Sequence, residues 1–116
     1  MSKEATAPAR SLQASIVGRL AKFFPEATPV RIPIKLTKMS EGSDVLTEST
    51  VIEYGTAREV LFAARIPLEF ADRLRVQNSD GSLDTEASVV AVQYHNGKTV
   101  VAARFTQEVA NWIVKP

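Results

Sequence analysis

The chain of 116 residues contains no cysteine and one histidine, His95. Disulfides and thiolate metal sites are therefore excluded, which accords with a reducing compartment. A single imidazole leaves no partner for a histidine-based zinc site. The five glycines are scattered, so there is no glycine-rich phosphate loop. No nucleophile-elbow pattern surrounds any serine. No apolar run approaches the ~20 residues that cross a bilayer. Residues 1–10 lack the apolar core of a signal peptide, so a cytoplasmic protein is expected. His95 falls in a hairpin turn, where a lone imidazole is more often solvated than catalytic. Glu53, Glu59 and Glu69 are available for an acid/base pair, but alternating charge on strand surfaces accounts for them better. The sequence thus predicts a non-enzymatic protein with no catalytic residues, no metal and no cofactor.

What is present is ordinary for a soluble domain: 45% hydrophobic and 23% charged residues. The length suits one domain. Residues 1–10 read as a flexible lead-in and 11–116 as a single folded unit. The net charge of +1 is unevenly spread. Residues 1–40 hold seven Lys/Arg against two Glu, while residues 41–90 hold four Arg against ten acids. The basic third can attract a phosphate-bearing ligand or an acidic surface; a solvated helix face explains it as well.

The stretch Thr50–Phe62 organises the rest, as strand, glycine-containing turn and strand. Val51, Ile52 and Tyr54 suit a pleated, half-buried surface. Gly55 is read as the residue that lets the chain bend, with Thr56, Ala57 and Arg58 carrying it round. Upstream, Ser11 can cap a helix running to Phe24, with Leu12, Ile16, Leu20 and Phe24 on one face and Val17 and Phe23 widening it. Pro25 stops that helix. Such a stripe usually covers an open end or edge of its own domain.

Val30–Thr37 alternates cleanly, and Pro33 marks it as an edge strand or a closing seam. Residues 39–44 read as a loop, and Val45–Tyr54 as the next strand. Glu69–Asp72 forms a short turn before a strand around Leu74 and Val76, and Asn78–Ser82 a second turn. Thr85–Tyr94 and Thr99–Phe105 are strands joined through Asn96-Gly97, a strong hairpin signal. Ala87, Val89 and Ala91 are expected on one face, with Val90, Val92 and Tyr94 on the other. A short helix over Gln107–Val114, capped by Thr106, would offer Val109, Trp112 and Ile113 as a lid. The expected fold is mainly β: a six-stranded antiparallel barrel with a helix at each end. Phe62, Phe70, Tyr94 and Phe105 are spaced like core or end-plug residues. With a net-negative strand region, this argues against a nucleic-acid polymer as partner.

Over residues 30–113 this arrangement resembles the PilZ family, bacterial six-stranded barrels that as a family bind cyclic di-GMP. Arg31-Ile32-Pro33-Ile34-Lys35-Leu36 resembles the opening strand of such domains. Thr50–Phe62 resembles their second motif, residues 87–105 their late hairpin, and Asn111-Trp112-Ile113 their closing segment. The resemblance implies a bacterial signalling role as a non-enzymatic effector or adaptor with a protein partner. It also implies ligand positions at Arg31, Glu53, Gly55 and Arg58. Family members carry Arg-x-x-x-Arg and Asp/Asn-x-Ser-x-x-Gly. Here Ala27 stands at the first Arg, Glu53 at the carboxylate, Gly55 at the Ser and Arg58 at the Gly. Charge-assisted hydrogen bonds contribute about 1.5–3 kcal/mol each. Loss of three would take a micromolar site, worth about −8 kcal/mol, toward millimolar. Cyclic di-GMP is therefore expected to bind weakly or not at all, unless Arg58 or Lys35 supplies a replacement cation. The alternative is a protein-interaction module with no nucleotide ligand.

Overall fold

The computed structural model describes residues 16–39, 46–109 and 112. Six strands arise where the sequence alternates: β1 Thr28–Met39, β2 Leu46–Gly55, β3 Glu59–Ala64, β4 Arg73–Asn78, β5 Asp84–His95 and β6 Lys98–Phe105. They close into a barrel in the order β1-β2-β3-β6-β5-β4, with every neighbouring pair antiparallel. The expected six-stranded barrel is present. β1 is its seam, pairing with β2 along one edge and, from Ile34 onward, with β4 along the other.

Side chains of period two fill the interior: Ile34 and Leu36, Ile52, Val60 and Phe62, Leu74 and Val76, Ala87 and Val89, Val101 and Ala103. β3 and β6 are buried on both faces, because Leu61, Val100 and Ala102 point outward beneath a short helix at residues 16–21. Val17 and Leu20 of that helix press onto them. The helix therefore covers the barrel wall and not an end.

Two irregularities re-aim side chains. In β5 the register slips between Val89 and Ala91, so Val90 is an extra residue opposite β6. After it the alternation inverts. Val90 and Ala91 both belong to the outer cluster, and Val92 rejoins the interior, which corrects the expected face assignment. In β2 the register slips around Glu53 against both neighbours: Val30 and Arg31 stand across from it on β1, and it is itself the extra residue toward β3.

The turns follow their local chemistry. Asn96 and Gly97 take φ of 49° and 81°, the left-handed pair of a two-residue hairpin. Asn78 accepts the Leu83 amide and donates to Ser82, which closes the β4–β5 turn. The Glu69–Asp72 turn closes through the Glu69 amide on the Asp72 carboxylate, 2.8 Å.

Both terminal helices depart from expectation. The first was expected over Ser11–Phe24; within the described residues it spans 16–21. Lys22, Phe23 and Phe24 each donate to the carbonyl three residues back, a tightening final turn, since Pro25 disfavours a helical Phe24. Phe23, placed on the buried stripe by sequence, is 71% exposed. No helix forms at 106–109 or at 112. Thr106 does not cap; its amide and hydroxyl both donate to the Glu86 carbonyl, drawing the chain along the barrel rim. Residues 1–15, 40–45, 110, 111 and 113–116 lie outside the described residues, and with them the lead-in, Ser11, Leu12, most of the 39–44 loop and Ile113.

Candidate functional site

The β2–β3 turn is held by Thr56. Its hydroxyl oxygen accepts the amides of Arg58 (3.0 Å) and Glu59 (2.9 Å), and its hydroxyl donates to the Glu59 carboxylate. That carboxylate also receives Arg104 through Nε (2.9 Å) and a terminal nitrogen (2.8 Å). The Thr56 carbonyl accepts the indole Nε1–H of Trp112 at 3.0 Å. Trp112 is buried, and its ring meets Phe105 edge-on with centroids 5.5 Å apart. The turn thus ties together the ends of β2, β3 and β6 and the C-terminal segment.

Gly55 has a role that the sequence did not show. It ends β2, is buried, and does not adopt a left-handed conformation. A Cβ built on it would collide with Trp112 Cη2 and lie 2.7 Å from Cζ2. Glycine is required here so that an indole can rest on the backbone.

The four predicted ligand positions lie on three different parts of this end. Arg31 is exposed on β1 beside Glu53, whose bulge places its carboxylate in an open groove of about 780 Å³ along β2 and β3. Burial pushes the Glu53 carboxyl above its ordinary range, opposed by the charges of Arg31 and Lys98. Gly55 lies under Trp112. Arg58 is exposed in a separate groove of about 660 Å³, shared with Arg104, Gln107 and Glu108. Lys35 lines a third, beside Gln77 and Asn78. Ala27, at the absent arginine's position, is half-buried, and its amide donates to the Phe24 carbonyl.

Other carboxylates serve the scaffold. Glu48 accepts the amides of Arg65 (2.8 and 3.0 Å) and Ile66 (3.0 Å), pinning the loop after β3. Glu53 stands on the β2 bulge, Glu59 opens β3 where Arg104 engages it, and Glu69 opens the turn before β4. Among the described residues, no group of three or more potential ligands could hold a metal ion, and no helix is long and apolar enough to cross a membrane.

The aromatics divide into two kinds. Phe62 and Phe105 are buried as expected, but Phe70 is 73% and Tyr94 72% exposed, against the end-plug reading. Leu68, from the loop between β3 and β4, is the fully buried residue there. Comparison with known proteins adds no family: no family model matches the chain, and no curated protein sequence matches it.

Proposed function

We propose that this chain is a PilZ-like, non-enzymatic effector or adaptor of bacterial signalling, acting through a protein partner, whose cyclic di-GMP site has decayed. The observation that carries this reading is the fate of position 55. A serine hydroxyl there requires a Cβ that Trp112 forbids. Loss of the motif serine and docking of the indole are thus two sides of one packing arrangement. The separation of Glu53 and Arg58 into different grooves supports the same reading. An arginine clamp needs guanidinium forks directed at one anion. The closed barrel agrees with the fold that the resemblance implies.

Calorimetric titration with cyclic di-GMP tests the proposal. Binding no tighter than millimolar, unchanged by Arg31→Ala, is the expected result. A low-micromolar dissociation constant abolished by Arg31→Ala would overturn it in favour of a working nucleotide sensor. The Trp112–Gly55 contact favours the stricter version of the adaptor reading, a protein-interaction module with no nucleotide ligand at the turn.

A further inference from the structure

β5 has twelve residues and β4 six, so β5 runs on past its neighbour. Its pairing with β4 ends at Ser88. The Val89 amide then donates to the Asp72 carbonyl, and its carbonyl accepts the Ala71 amide. Upstream of Ala71, which stands in the left-handed region at φ 75°, no backbone group of the loop bonds to β5 among the described residues. On its other side β5 stays paired with β6 down to the hairpin at His95 and Lys98. In a two-residue hairpin the residues flanking the turn exchange both backbone bonds, and the pattern alternates from there. His95, Gln93 and Ala91 therefore direct their backbone groups at β6. Those of Val92 and Tyr94 point outward, and among the described residues no backbone group bonds to them.

We propose that this open edge joins two copies of the chain, β5 against β5, about a twofold axis at Gln93. A free edge is ordinarily protected by proline or charge. The half-open part of β1 holds Pro29, Arg31 and Pro33, whereas Ser88–Tyr94 holds neither a proline nor a charged residue. Val89, Val90, Val92 and Tyr94 are strong strand formers. A twofold axis relates identical strands in the antiparallel sense, an isologous contact that closes on itself. With Gln93 on the axis, Val92 faces the partner's Tyr94, and Tyr94 faces the partner's Val92. Each pair exchanges both backbone bonds and sets an aromatic ring against a β-branched side chain. Tyr94 is 72% exposed, and its hydroxyl donates to the Leu68 carbonyl at 3.4 Å, on the Val92 face of β5. Phe70, 73% exposed, flanks the other end of the edge beside Ala71. Two copies bring together roughly 600 Å² of exposed aromatic surface. The paired edges carry the total toward the ~1,200 Å² of small specific interfaces, which suits a weak, reversible dimer. The edge shares no residue with the β2–β3 turn, so the dimer is independent of the function proposed above.

Sedimentation velocity of the full-length protein over a concentration series tests this. A monomer–dimer equilibrium with a dissociation constant of about 10–100 μM is expected. Gln93→Lys and Gln93→Glu each set like charges face to face on the axis and should each weaken the dimer about fivefold. Gln93 is half-buried and outside both apolar clusters, so the barrel should fold in either variant. An equimolar mixture of the two should associate more tightly than either variant alone. Amide-resolved hydrogen exchange locates the contact. Val92 and Tyr94 should exchange freely in dilute protein and become protected in concentrated protein, while Gln93 is protected in both. A chain that stays monomeric at ~1 mM would leave the edge to a strand from a different protein and would overturn the proposal. So would a dimer indifferent to both charges, a mixture no tighter than its components, or a dimer that leaves Val92 and Tyr94 exchanging freely.

Discussion

The barrel interior and the outer helix–sheet seam are both apolar and both buried, yet they are secured differently. The interior is enclosed by six strands, each paired on both sides over part of its length, and Trp112 covers one end. The seam depends on Val17 and Leu20 pressing on Leu61, Val100 and Ala102. Loss of one interior side chain leaves a cavity that a closed hydrogen-bonded wall cannot easily collapse. Loss of one seam anchor frees a short helix that contributes little cohesion of its own. Burial alone therefore does not rank residues in this molecule; the connectivity around them does.

The largest expected effect is at the covered end. Trp112→Ala should cost about 3–5 kcal/mol, read by urea denaturation, because it removes the indole from Phe105 and Gly55 and leaves the Thr56 carbonyl without its donor. An unchanged midpoint would show that the C-terminal segment secures nothing. Next comes the seam. Leu20→Ala should cost about 2–3 kcal/mol. Hydrogen exchange should accelerate at residues 16–21 while amides of β3 and β6 keep their protection. Acceleration spread evenly over the barrel would erase the distinction between the two regions.

The smallest effect belongs to Glu53, outside both clusters. Its carboxyl is raised by burial, so the folded protein holds that proton to a higher pH than the unfolded chain does. The stabilisation linked to the proton is complete below the unfolded-state pKa and is lost as pH rises through the raised folded value. Glu53→Gln should therefore lift the thermal midpoint slightly at neutral pH, with the gain vanishing below about pH 4. A gain that persists in acid would point to packing, and a loss at neutral pH would show that Arg31 and Lys98 outweigh the burial.

Strand identity was legible because period-two alternation is local: Val30–Thr37 lies within β1, and the Asn96-Gly97 turn sits where its left-handed preference requires. The faces beyond Val90 were not legible. A bulge is set by how β5 registers on β6, and nothing in the order of Val89, Val90 and Ala91 announces it. The candidate site was the least legible part. Gly55 suggests a bend in sequence, whereas the reason for glycine there stands far along the chain at Trp112. A glycine that ends a strand, close after Val51, Ile52 and Tyr54, is itself a sign of close approach, and is the one clue the sequence holds. Thr56 likewise looks like no more than part of a bend in sequence, although its hydroxyl makes three hydrogen bonds to Arg58 and Glu59. Exposure of Phe23 and Tyr94 could not be read from spacing, because helix termination at Pro25 and the β5 bulge both intervene.

The geometry of β1 bears on how this protein behaves in a crowded solution. Among the described residues, Thr28 to Pro33 pairs with β2 alone, since contact with β4 begins at Ile34. A half-open strand invites a neighbouring molecule to extend the sheet, the first step of edge-to-edge aggregation. Pro29 and Pro33 both fall in that stretch, and neither has an amide hydrogen to offer an incoming strand. The same two residues leave β1 free to complete its own barrel while making it a poor template for anyone else's.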